Sequence, residues 1–428
     1  MSGRLKIHGI DEDKAREAID RWFRNPYYRR LCESQGIRGP EDLFYLIDKG
    51  DLGRVPVILD IDTKLKPFDT STGIKRGGNA KKLTEGLIDD YKGDVVIDIS
   101  SATSGNYDVI PRTPEEIEDE IGNYYDSFKR KGIKYDLVLI LFPSRTSLER
   151  RAKKAEKDLT DFSEWIRQKT GGDVFVRAQT LSGIDAAERL GPIESILNFN
   201  LLLTILNSTI LRPWKHGAPV VYPDIQRAIE LLENYKGKKV MLGASPIFAW
   251  LLALELQRRD LRYPNVYVHG GGGGYDGRKG AIVIPGGIDQ TEYAELMRHV
   301  FGGYPTETYG YSGQKHVLIL RWDPYKEWID VDVNDEKGPK EKKGAYVSRI
   351  PEDLCGKNVL LYAVNPLTNK IVTRGPGVLR ALNFDDGSIH LHGPLQPSDR
   401  VYVGNSDDTG IPKEIYGIRR LSHDKTGC

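Results

Sequence analysis

The chain has 428 residues, enough to bury one large core beside a smaller unit. Lysine and arginine total 62 against 61 acidic residues, a formal charge of +1, which excludes the strongly cationic field of a nucleic-acid-binding protein. The three cysteines, Cys32, Cys355 and Cys428, are too few and too far apart for a disulfide framework or a zinc site. The start, Met-Ser-Gly-Arg-Leu-Lys-Ile, lacks an apolar signal region, and no segment reaches membrane-span length. The expectation is a cytoplasmic protein with no nucleic-acid or membrane partner.

Apolar positions at Ala15, Ile19, Trp22 and Phe23 predict a helix broken near Pro26, and Leu43, Leu46 and Ile47 a second short one. Residues 55–59 read as a strand or extended lead-in. Asp60, Asp62 and Asp69 lie in a polar stretch that reads as a solvated loop. The segment Ser71-Thr72-Gly73-Ile74-Lys75-Arg76-Gly77-Gly78 is no Walker A loop, because its glycines lack the required lysine and hydroxyl residue after them. A strand over 95–99 then ends in Ser100-Ser101-Ala102-Thr103-Ser104-Gly105, a crowd of hydroxyls and backbone N–H groups suited to cradling phosphate.

Thr113, Pro114 and Glu116 form a helix start, and the helix runs towards Gly132. Strands follow at 135–142 and 173–178, with a charged amphipathic helix between them. Residues 193–211 are apolar with interspersed Asn and read as a buried helix. After a helix at 223–235, residues 239–250 read as a strand, a Gly/Ser turn and a helix opening at Ser245-Pro246. This alternation predicts a buried parallel or mixed sheet, with ligands gathering at strand carboxyl ends.

The strand Val266-Tyr267-Val268-His269 runs into five glycines, Gly270-Gly271-Gly272-Gly273-Gly274, and then Tyr275. Five glycines in succession are entropically costly and suit a backbone passing close to a flat or bulky ligand. A short strand at 282–284 and a helix over 288–300 lead to Tyr304-Pro305-Thr306-Glu307-Thr308-Tyr309-Gly310-Tyr311-Ser312-Gly313-Gln314. Residues 316–322 and 328–333 read as a hairpin, and 334–343 as a charged hinge. From Ala345 onward, short strands and turns predict a compact β-rich tail.

These motifs resemble those of the adenylate-forming enzymes, and in particular the branch of the bioluminescence acyl-protein synthetase and the phenylacetate-CoA ligases. The likeness runs from about residue 95 to 400. Residues 100–105 resemble the family's phosphate loop, with Ala102 at the position of its first glycine. Tyr309-Gly310-Tyr311-Ser312 resembles its aromatic-Gly-x-Ser motif, with Gly313 at the glutamate position and Glu307 across the tyrosine as the candidate replacement. The resemblance implies an α/β fold with a large adenylate-forming-like domain over 1–340, of mixed sheets and flanking helices, and a small β-rich C-terminal domain over 341–428.

It also implies ATP-dependent activation of a small-molecule carboxylic acid to an acyl-adenylate, with release of pyrophosphate and transfer to a thiol or amine acceptor or a carrier protein. ATP and Mg2+ are the implied cofactors. Ser101, Thr103, Glu307 and His269 are the implied catalytic residues, Glu307 also being the metal ligand. Ser100, Ser104, Gly105, Gly272, Gly273, Gly274, Tyr275, Tyr309, Gly310 and Asp399 are the implied nucleotide contacts, with Asp385 and Asp408 as rivals of Asp399 for the ribose hydroxyls. Lys413 and Lys425 are the lysines available to the tail, Cys355 and Cys428 the cysteines available as acyl carriers, and a homodimer is open. The competing readings are a non-catalytic nucleotide-binding protein and an assembly protein on a degenerate version of the same fold.

Overall fold

The computed structural model describes residues 5, 8–59, 93–99, 109–112, 127–141, 168, 174–178, 202–205, 209–215, 218–223, 225–271, 274–279, 282–310, 316–330, 339–385, 393–397 and 399–420. The architecture is a large mixed α/β region followed by a smaller β-rich C-terminal region, as the sequence predicts.

The N-terminal segment forms α1 (Glu12–Arg24), α2 (Pro26–Ser34) and α3 (Pro40–Lys49). Asn25 ends α1 and caps α2, its side chain accepting from the Tyr27 and Tyr28 amides, with Pro26 in the first helical turn. These helices pack on the C-terminal strands. Trp22 stacks on Phe384 at 5.5 Å, and Leu43, Ile47 and Ile58 share a core with Leu360, Tyr362 and Leu382.

The principal sheet contains β1 (Ile58–Leu59), β4 (Leu137–Leu141), β6 (Leu202–Ile205), β9 (Val240–Ala244), β10 (Val266–Gly271), β13 (Thr306–Tyr309), β14 (Leu318–Asp330), β15 (Lys340–Arg349), β17 (Gly375–Asn383), β18 (Leu395–Gln396), β19 (Asp399–Ser406) and β20 (Pro412–Arg420). Their order is β1-β18-β17-β19-β20-β15-β14-β13-β10-β9-β4-β6, and β16 (Val359–Val364) pairs with β17. One end of the sheet is parallel (β6, β4, β9, β10, β13), the pairs from β13–β14 to β17–β18 are antiparallel, and β1 adds to β18 in parallel.

The parallel end is covered by α4 (Ile225–Asn234), α5 (Pro246–Arg258) and α6 (Gln290–Phe301), whose Leu232, Leu252 and Val300 share a core with Leu139, Leu242 and Val268. A separate sheet places β2 (Val95–Ile99) between β3 (Val109–Arg112) and β5 (Val174–Ala178). A buried ion pair, Lys131 Nζ to Asp353 Oδ1 at 3.0 Å, ties the segment before β4 to the segment after β15. Asp353 lies in the short α7 (Ile350–Asp353) and also accepts from the Ser348 hydroxyl and the Ile319 amide.

Two expectations are corrected. Within the run expected to be a buried helix lies β6, paired in parallel with β4, and the antiparallel pair β7 (Thr209–Lys215) and β8 (Ala218–Pro223) follows it. A short apolar run fits a fully buried strand as well as a helix, and pairing at the sheet edge decides it. The runs at 316–322 and 328–333 are not two arms of a hairpin. They merge into β14, whose partner is β15, in register from Arg321↔Val347 to Asp330↔Lys340 with a bulge between. The inferred boundary at 340/341 thus falls at the start of β15. The predicted helices beginning at Thr113 and over 148–166, and the aspartates Asp60, Asp62 and Asp69, lie wholly or largely outside the described residues.

Candidate functional site

The carboxyl ends of β4, β9, β10 and β13 lie side by side: Leu141 pairs with Ala244, Ala244 with Gly270, and Gly270 with Glu307. That row is where an open parallel sheet presents ligands. At its end the chain has glycine on β10 and a carboxylate on β13. A Cβ on Gly270 would stand 3.4 Å from Glu307 Cγ and 3.5 Å from its Oε1, so the missing side chain leaves the cradle beside this carboxylate open.

Glu307 accepts a very short hydrogen bond from the Tyr275 hydroxyl, which lies 3.0 Å from the Tyr346 hydroxyl. Burial pushes the Glu307 carboxyl up to about 7, and the Tyr275 bond only partly offsets it. Burial and then the nearby Glu307 push the Tyr275 and Tyr293 hydroxyls well above the ordinary tyrosine range. The fully buried Tyr293 hydroxyl has no hydrogen-bond partner among the described residues, and its ring packs edge-on to Tyr275 at 5.5 Å. Tyr293 on α6 and Tyr346 on β15 belong to no motif. At helical or strand spacing they read as core, and only the packing reveals that they face Glu307.

Two of the residues singled out as nucleotide contacts meet across the sheet: the Tyr309 hydroxyl donates to Asp399 Oδ2 at 2.8 Å. Gly310 follows, exposed. The rivals of Asp399 are placed otherwise. Asp385 accepts from the Asn358 amide and side chain and lies 3.2 Å from His316 Nε2. Asp408 stands in the turn between β19 and β20.

His269 lies on the other face of the sheet. Parallel neighbours in register share a face, and alternate residues point to opposite faces. His269 pairs with Thr306 and Gly270 with Glu307, so the imidazole and the carboxylate diverge. The imidazole has Nδ1 2.9 Å from Thr306 Oγ1 and Nε2 2.6 Å from Thr308 Oγ1, and packs edge-on to Phe128. Its burial lowers its proton affinity to about 3, so it is neutral near pH 7. The arrangement holds β10 to β13.

No protein-family model matches the chain, and no curated protein matches it. Solved structures do. The chain is similar to a 2-hydroxyisobutyryl-CoA ligase in the post-adenylation state with R3-HIB-AMP, at TM-score 0.50 and 11% identity over 96% of this chain and 65% of that one. The chain shares the fold of that ligase. A second structure of that ligase, with 2-HIB-AMP, aligns at TM-score 0.48 with the same identity and coverage. The inhibitor-bound N-terminal domain of FACL13 from Mycobacterium tuberculosis aligns at 0.36, with 12% identity over 89% of this chain and 77% of that one. The chain spans 65% of the length of the 2-hydroxyisobutyryl-CoA ligase.

Ser100, Ser101, Thr103, Ser104 and Gly105 lie outside the described residues, as do Gly272, Gly273 and Gly313, while β2 is in place as the strand leading to Ser100. Gly274 begins the turn carrying Tyr275. Of the candidate acyl carriers Cys355 is exposed, and Cys428 lies outside the described residues with Lys425. Lys413 is on β20. No helix among the described residues is long and apolar enough to cross a membrane.

Mg2+ binds through one or two carboxylates completed by phosphate oxygens and water, rather than in an all-protein cage. Glu307, beside the space left by Gly270, fits that donor pattern. No group of three metal-binding side chains occurs among the described residues.

Proposed function

We propose that the chain activates a small-molecule carboxylic acid with ATP, forming an acyl-adenylate and pyrophosphate, and passes the acyl group to a thiol or amine acceptor, free or on a carrier protein. Within the superfamily we assign it to the branch of the acyl-protein synthetases and phenylacetate-CoA ligases. The observation that carries the reading is the Tyr309–Asp399 bond, which joins the aromatic nucleotide motif to the ribose aspartate across a sheet of this fold.

In this reading Tyr309 and Gly310 lie along the adenine, and Asp399 accepts from the ribose hydroxyls. Tyr275 and Gly272, Gly273 and Gly274 flank the base. The hydroxyls and amides of Ser100, Ser101, Thr103, Ser104 and Gly105 stabilise charge on the transferring phosphates. The substrate carboxylate attacks the α-phosphate and pyrophosphate leaves; Glu307 would hold Mg2+, which would supply neutralisation of phosphate charge. His269 acts through strand placement, because both ring nitrogens are engaged by threonine hydroxyls.

Carboxylate-dependent ATP–pyrophosphate exchange tests the reading across fatty, aryl and amino acids. Exchange is expected in the native protein and a loss of about 100-fold or more in Ser101→Ala and Glu307→Ala. Tight ATP binding without exchange selects the second reading, a nucleotide-binding protein without chemistry, which Gly313 at the family's glutamate position favours.

A further inference from the structure

A cavity of about 550 Å³ opens between the N-terminal helices and the turn that follows β16, formed by residues that take no part in the candidate site. Its apolar wall is Ile37, Leu46 and Ile371, and its charged rim is Arg54, Asp51 and Lys370. The volume is that of a small-molecule site, and the lining is largely polar with one apolar wall.

The floor is specifically built. Asn369 holds a left-handed φ of 54°. Gly53 passes so close that a Cβ there would lie 2.0 Å from the Asn369 carbonyl oxygen, so only glycine fits. Beneath both lies Arg380, only 7% exposed. Its guanidinium donates to Asn369 Oδ1 at 2.9 Å, Gln396 Oε1 at 2.9 Å and the Gly53 carbonyl at 3.3 Å, all neutral oxygens. A buried cation ordinarily has an anionic partner. Here two of its acceptors form the cavity floor.

Around the opening, Arg54 is paired with Asp51 at 3.2 Å, and Lys370 has no acidic partner among the described residues. Three cations thus surround the cavity against one carboxylate, a net charge matched by a dianion.

We propose that this cavity binds a phosphate monoester with an apolar body, its phosphate at Lys370 and Arg54 and its body against Ile37, Leu46 and Ile371. The charge selects the phosphate, and the apolar wall distinguishes the site from one for inorganic phosphate. It is independent of the proposed adenylation site.

The test is calorimetric titration of the full chain with phenyl phosphate, inorganic phosphate and phenol. The proteins are the native chain, Lys370→Ala, Arg54→Ala and Ser101→Ala. Lys370 and Arg54 are exposed, so their substitution leaves the fold intact. Phenyl phosphate is expected to bind the native protein more tightly than either partial probe. Loss of a charge-assisted contact in Lys370→Ala or Arg54→Ala should weaken it about tenfold or more, with no change in Ser101→Ala. Absence of binding to the native protein, native affinity retained in both cavity variants, or loss confined to Ser101→Ala overturns the proposal.

Discussion

Asp385, just after β17, and Asp407, between β19 and β20, are both surrounded by donors, whereas Glu307 on β13 has one phenol among the described residues. Asp385 receives two hydrogen bonds from Asn358 and has His316 beside it; Asp407 receives the Thr409 amide, the Thr409 hydroxyl and the Ile411 amide. Burial raises both, but these donors outweigh it and hold both below the usual carboxylate range. Glu307 is left raised, because Tyr275 cannot offset its burial. Carboxylates that fasten strands come with their donors supplied. The one beside the glycine strand end has fewer donors among the described residues, and burial therefore decides its proton affinity.

The largest effect that tests this contrast is expected at Asp353. Asp353→Ala leaves Lys131, with a side chain only 5% exposed, as an uncompensated buried cation. Urea unfolding should show a loss of about 3–5 kcal/mol. A loss below about 1 kcal/mol would mean that the buried pair does not tie these two segments.

The opposite sign is expected at Glu307. Its folded value of about 7 lies above the ordinary 4.5, so the native state binds the extra proton and stability falls as pH rises between those values. Glu307→Gln keeps the shape and removes the charge. It should therefore stabilise the protein at pH 8 by up to about 3 kcal/mol and leave stability at pH 4.5 nearly unchanged.

His269 works against that slope. Its folded value of about 3 lies below the ordinary 6.5, so the unfolded state binds the extra proton and stability rises with pH between them. The two slopes cancel between pH 4.5 and 6.5 in the native protein. In Glu307→Gln the His269 slope is exposed, rising by up to about 1.4 kcal/mol per pH unit across that window. Denaturant unfolding of both proteins at pH 5, 6 and 7.5 checks it: parallel profiles would refute the raised value at Glu307, and a flat Glu307→Gln profile the lowered value at His269.

A smaller change is expected from Tyr309→Phe, which leaves the ring and removes the hydroxyl bonded to Asp399. The loss should be about 1 kcal/mol in unfolding, together with weaker ATP binding. The smallest is Lys14→Ala. Lys14 stands 3.6 Å from Asp385 with its side chain 56% exposed, and because Asp385 already has its donors the cost should stay below about 0.5 kcal/mol.

Local signals made much of the scaffold legible. Pro26 after Asn25 marked the break between two helices, Ser245-Pro246 marked the start of α5, and the β-branched runs before Ser100 and His269 marked β2 and β10. The run containing β6 was ambiguous by composition, and the long β14 was split by its polar middle. The packing of α1 to α3 on the C-terminal strands carries no local signature, since it joins residues more than three hundred positions apart.

By itself the sequence determined the elements, the glycine-ended strand and the candidate residues, because helix caps, proline and the period of apolar residues act within a few positions. Only the tertiary structure decided which candidates meet. Pairing Gly270 with Glu307 sends His269 to the opposite face, and bringing β19 to the sheet sets Asp399 under the Tyr309 hydroxyl. The face a strand residue occupies is relative to its neighbour, and that register exists only once the strands have paired.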